Sequence, residues 1–85
     1  MPLFMIERHF AEQLELAREQ VEAIQLINDD VGVQWLFSFL SADKKKSYCL
    51  YEAPSAALLR EAAQRANIPT DVIVEVQEMR PEMLR

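Results

Sequence analysis

Two apolar, β-rich runs separated by only a few polar residues occupy the middle of this 85-residue chain, with a helical repeat on either side of them. The first is Val33-Gln34-Trp35-Leu36-Phe37-Ser38-Phe39-Leu40, dense in β-branched and aromatic residues, and the second runs from Ser47 to Ala53. A break as short as Ala42-Asp43-Lys44-Lys45 can only turn the chain back on itself, so the two runs are predicted to pair as an antiparallel hairpin. Gln34 and Ser38 share one parity in the first of these strands. Lys44-Lys45-Lys46 is read as the solvated tip.

The flanks change period. Residues 3–8 are short, apolar and without helical spacing, and they end in the charges Glu7-Arg8, which predicts a first strand. Phe10, Leu14, Ala17, Val21, Ile24 and Ile27 then recur at intervals of three and four, which predicts a helix over 11–28 with no side-chain cap at its start. Asn28-Asp29-Asp30-Val31-Gly32 closes it around the only glycine, and the aspartates sit unfavourably at its negative end. Ser55 caps a second helix over 56–66 that buries Leu59, Ala62, Ala63 and Ala66, and Asn67-Ile68-Pro69 stops it. Residues 72–78 alternate as a last strand, with Val72, Val74 and Val76 on one face and Ile73, Glu75 and Gln77 on the other. One domain over 1–80 and a tail over 81–85 are expected.

The element order β-α-β-β-α-β defines an α+β, ferredoxin-like fold. Right-handed crossovers predict a four-stranded antiparallel sheet in order 4-1-3-2 with both helices on one face. The other face is left open and apolar, a patch that monomers avoid. A face-to-face homodimer of the dimeric α+β barrel type would cover it. Phe4 and Ile6 are assigned to the helix side, so Leu3, Met5, Glu7 and His9 point to the open side. The same alternation is read to put Ile73, Glu75 and Gln77 on the open side. For the third strand, both Cys49-Tyr51 and Leu50-Glu52 are plausible inward sets. Glu52 is placed on the open face, because burying it beneath helices without a cation would cost several kcal/mol.

Composition narrows the function. A net charge of −5 argues against nucleic acid, which needs clustered Lys and Arg. One glycine rules out a glycine-rich phosphate loop, and Ser38, Ser47 and Ser55 have no His-Asp pattern near them. No apolar run is long enough to cross a membrane, and the opening apolar stretch is too short for a signal peptide. The lone Cys49 is expected as a buried hydrophobe, and a free thiol fits a cytoplasmic location.

Glu7, Glu52 and Glu75, with His9 nearby, are expected to gather on the open face around the middle strands. Carboxylates and an imidazole can hold a divalent cation, and mixed oxygen and nitrogen ligation suits nickel, zinc, cobalt or manganese. Each glutamate alone is better explained by a salt bridge, for example to Arg8 or Arg60, or by solvation, and His9 by a surface or capping role. The alternative class is an enzyme or small-molecule binder that uses the same carboxylates without metal, in which repulsion raises one pKa. A third reading makes the face a dimer interface alone. Enzymatic activity is not the favoured expectation.

The chain resembles, over nearly its full length, a family of small ferredoxin-like proteins long described as a domain of unknown function, some of them nickel-binding or nickel-responsive. The resemblance rests on the first eight residues, Met1 to Arg8, on Val33-Gln34-Trp35, and on Tyr48-Cys49-Leu50-Tyr51-Glu52-Ala53-Pro54-Ser55. Leu59-Arg60-Glu61 to Arg65-Ala66 and Pro69 to Glu75-Val76 complete it. It implies a homodimer joined through its sheets and a metal, nickel first. Many members carry a histidine after the Arg-Glu pair of the second helix, where this chain has Ala62, so one nitrogen donor is missing. The family's usual insertion before the first helix is also missing here.

Overall fold

The structure is a computed structural model that describes residues 1–84. Its elements are β1 (Leu3–His9), α1 (Arg18–Val31), β2 (Gln34–Leu40), β3 (Lys46–Glu52), α2 (Ala56–Ala66) and β4 (Val72–Val76), followed by a 3₁₀ turn over Pro81–Leu84. Of the tail expected over 81–85, Arg85 lies outside the described residues. The strands form one antiparallel sheet in the order β2-β3-β1-β4, the predicted order read from the opposite edge.

The faces of the sheet follow from β1 and β3. Phe4, Ile6 and Arg8 of β1 and Ser47, Cys49 and Tyr51 of β3 are buried under the helices, and the intervening residues are not. Leu59 and Ala62 of α2 complete the core against Phe4, Ile6, Cys49 and Tyr51, with Ile27 and Val31 of α1 packed alongside. Glu52 therefore points to the open face, as the cost of burying its carboxylate predicted.

Both helices end as their sequences require. Gly32 adopts φ +88° and donates its N–H to Asn28 O, and Asn67 takes the left-handed conformation after α2 at φ 56°. The Ser55 hydroxyl accepts from Leu58 N at 3.4 Å. Asp30, at the unfavourable end of α1, is offset by Arg65 of α2 at 2.8 Å.

Three expectations are corrected. Helix α1 begins at Arg18 and not near residue 11. Residues 10–17 cross the hairpin tip as an irregular strap, where Phe10 N and Leu14 N donate to Lys45 O and Lys44 O at 2.8 Å each. With no capping side chain at residue 10, these strand-side carbonyls outcompete a first helical turn, and the helix starts where Gln20 Oε1 can accept from Ala17 N at 2.7 Å.

Strand β2 carries a bulge between Trp35 and Phe37. The register places Gln34 opposite Glu52 on the open face but Ser38 opposite Cys49 on the helix face, so their shared parity is broken by one inserted residue. A hydrogen bond from Trp35 Nε1 to Ser38 Oγ, 2.8 Å, spans the bulge on the helix side.

The third correction concerns β4. Phe4 pairs with Glu75 and Ile6 with Ile73, so Ile73 and Glu75 lie on the helix face, and Val72, Val74 and Val76 lie on the open one. Alternation finds the apolar parity of a strand, but Ile73 alone reaches the core while the three valines line a face that is itself apolar.

At the hairpin tip, Asp43 Oδ1 accepts from Lys45 N at 3.0 Å and Ser41 Oγ at 2.7 Å, and these two bonds, the backbone one first, hold its carboxyl below the usual range. Lys44 and Lys45 form the tip, and Lys46 already belongs to β3.

Leu59 is 1% exposed at the centre of the core. Leu59→Ala is expected to lower stability by about 2–5 kcal/mol, a large fraction for a domain of this size, measured by urea unfolding followed through Trp35 fluorescence.

Candidate functional site

The open face is built from every second residue of four strands. Leu3 and Met5 of β1, Tyr48 and Leu50 of β3, and the three valines of β4 make it apolar. Phe37 and Phe39 extend it across β2, their rings edge-to-face at 5.6 Å and the residues 51% and 63% exposed. A surface of this kind on one side of a small sheet needs a cover.

At one end of it lie two predicted donors. Glu7 and His9 are two apart on β1 and so share the open face, where His9 Nε2 meets Glu7 Oε2. Asp71 fixes this corner: its carboxylate accepts from His9 N at 2.6 Å, and its own N–H donates to Glu7 O at 3.0 Å. Lys46 is the cross-strand neighbour of His9 and adds a positive charge on the same face.

The other two predicted donors are elsewhere. Glu52 lies opposite Leu3, four residues along the strand from Glu7 and roughly 13 Å away by strand rise. Glu75 lies on the helix face. The expected gathering of three glutamates is thus reduced to one carboxylate and one imidazole. Among the described residues, no three of His, Cys, Asp and Glu stand close enough to hold a metal ion between them.

The opposite face holds a site that sequence reasoning missed. Between β2, β3, the middle of α1 and the strap over residues 10–17 lies a cavity of about 200 Å³. Its walls are mainly apolar, with Phe10, Leu14, Ile24, Trp35, Leu40 and Ile68 among them. Arg8, Ser38, Ser47 and Tyr51 are its polar wall residues, and Arg8 and Tyr51 are each about 3% exposed. Arg8 Nη1 donates to Pro69 O at 2.7 Å and to Thr70 Oγ1 at 3.1 Å, and its guanidinium carbon stands 6.0 Å from the Tyr51 ring centre. Burial pushes the Tyr51 hydroxyl pKa up, and the Arg8 charge works against that shift. None of the four predicted donors lines this cavity. Arg8 was read as a charge ending the first strand and as a partner for a glutamate, but the alternation Phe4, Ile6, Arg8 carried the signal that it faces the core.

These features define a ferredoxin-like α+β domain with one sheet face covered by helices and one apolar face bare. A family model described as nickel responsive protein, SCO4226-like, matches residues 4–76, and the chain belongs to that family. Among solved structures it is similar to the crystal structure of SCO4226 from Streptomyces coelicolor A3(2), at a TM-score of 0.70 and 22% identity. That match covers 92% of this chain and 99% of the other, and it establishes the shared fold. Comparison with curated proteins gave no match. Among the described residues, no helix is long and apolar enough to cross a membrane.

Because Asp71 fastens the end of β1 to the approach to β4, Asp71→Ala is expected to lower stability by about 1 kcal/mol. Hydrogen exchange should quicken at the His9 amide while the Ile6 amide stays protected, which checks that the effect is local.

Proposed function

We propose that the chain is a homodimeric, cytoplasmic protein that binds a divalent transition metal, nickel first, through Glu7 and His9. The observation that carries this is the meeting of the His9 imidazole and the Glu7 carboxylate on the bare sheet face. Imidazole nitrogen with carboxylate oxygen is a donor set that nickel and zinc accept, and the family description adds nickel responsiveness. Two donors per chain are too few for such an ion, which takes four to about six. Water, or the same pair from a second copy seated on the open face, would supply the rest.

Glu7 and His9 would hold the ion, which would supply a fixed positive charge to the corner of the sheet. Asp71 orients the backbone that carries His9, and the Lys46 charge on the same face would weaken the site by repulsion. Glu52 and Glu75, too far away or on the wrong face, are set aside as ligands. A binder that uses the same carboxylates on an organic molecule needs Glu7, Glu52 and Glu75 together, and the sheet register keeps them apart.

Equilibrium dialysis with nickel and zinc tests the ligands. His9→Ala and Glu7→Gln are each expected to weaken binding at least tenfold, and Glu52→Gln and Glu75→Gln to leave it unchanged. Lys46→Gln should strengthen it a few-fold, in line with removing one charge near the ion. Nickel binding that survives the paired loss of Glu7 and His9 would sink the assignment.

The dimer is tested separately by light scattering on a sizing column. A mass near twice 9.9 kDa is expected for the parent chain, and a folded monomer for Phe37→Glu combined with Val74→Lys. A parent chain that runs as a monomer at high micromolar concentration would overturn it.

A further inference from the structure

The Arg8 cavity lies on the side of the sheet away from Glu7 and His9. An arginine that is 97% out of contact with solvent normally has a carboxylate beside it, because an isolated buried charge is strongly disfavoured. Among the described residues Arg8 has no acidic partner. Arg8 Nη1 donates to two neutral oxygens, and the Tyr51 hydroxyl beside the guanidinium is neutral too, so nothing in contact with it offsets its charge. Arg8 is also part of the cavity wall, and the rest of that wall is mainly apolar. An apolar space with a single buried cation in its wall is the complement of one chemical class.

We propose that the cavity binds a small organic monoanion, a carboxylate carried on an apolar body, with the anionic oxygens on Arg8. The apolar body would lie among Phe10, Leu14, Ile24, Trp35, Leu40 and Ile68. Size limits the guest: an apolar cavity of about 150 Å³ takes benzene, so about 200 Å³ holds roughly eight to ten non-hydrogen atoms. Guanidinium geometry suits a carboxylate, which it can engage through two parallel N–H groups. The Tyr51 hydroxyl lies beside Arg8 at the same wall. The strap over residues 10–17 forms one side of the space and is tied to the hairpin by two backbone hydrogen bonds, so a guest can enter by displacing a loop without opening the core. This site is on the other side of the sheet from Glu7 and His9 and does not rest on the metal.

Calorimetry with octanoate, octan-1-ol and octylamine on the full chain tests it. Octanoate is expected to bind once per chain with a dissociation constant on the order of 0.1–1 mM, octan-1-ol at least tenfold more weakly, and octylamine not measurably. Arg8→Met, which keeps the length of the side chain and removes the charge, should weaken octanoate at least tenfold and abolish the preference for it over the alcohol. Leu14→Trp, placed in the irregular strap where added bulk spares the core, should fill the space and remove binding of both. No saturable octanoate binding, equal binding of acid and alcohol, or undiminished binding in Arg8→Met or in Leu14→Trp would each overturn the proposal. Octanoate binding that fell in His9→Ala while surviving in Arg8→Met would overturn it too, and would separate its failure from that of the metal site.

Discussion

Strand β1 is hydrogen-bonded on both sides, to β3 and to β4, and its alternation divides the molecule into two chemistries. Its even residues, Phe4, Ile6 and Arg8, go beneath the helices, and its odd residues, Leu3, Met5, Glu7 and His9, go to the bare face. Every other placement follows from that division. The register against β3 sends Cys49 and Tyr51 to the core and Glu52 out, and the register against β4 sends Ile73 in and the valines out. A one-residue slip would exchange Arg8 with Glu7 and His9, burying a carboxylate and an imidazole while exposing Ile6. Burying Ile6, which is wholly inaccessible, sets the phase.

How much of this was legible depends on whether a residue's neighbours are local. The second helix could be read to the residue, because Ser55 and Asn67 act on backbone groups within one turn of themselves. The sheet order was legible because a central hairpin and two right-handed crossovers leave few alternatives. The start of α1 was not, since the helical spacing of Phe10, Leu14 and Ala17 is real but the amides of Phe10 and Leu14 bond to carbonyls some thirty residues away. The phase of β4 failed for a different reason. Periodicity ranks a strand's two faces by hydrophobicity, and in a chain with two apolar sheet surfaces that ranking no longer says which is inside.

The candidate site divides along the same line. Glu7 and His9 were legible together because they are two residues apart on one strand, a relation that alternation fixes. Glu52 was assigned correctly to its face, yet a face is not a position, and the register puts it at the far end of the strand from Glu7. Arg8 was passed over because it sits between two residues with an evident use. Its surroundings, a cavity assembled from β2, β3, α1, the strap and Ile68, exist only in three dimensions.

The bulge in β2 has a bearing on how copies of this chain can meet. β2 is an edge strand, and a straight edge offers a row of free backbone groups on which a neighbour can build a continuous sheet. The extra residue at Leu36 interrupts that row and twists the edge, and the Trp35–Ser38 bond pins it in that shape. At the other edge, β4 offers only five residues. Lateral growth into ribbons is thereby discouraged at both margins, and the flat apolar surface is left as the route for contact. A contact in which that surface meets the same surface of a second copy closes after two copies, so the kink that misleads the reading of Ser38 also works against growth into fibres.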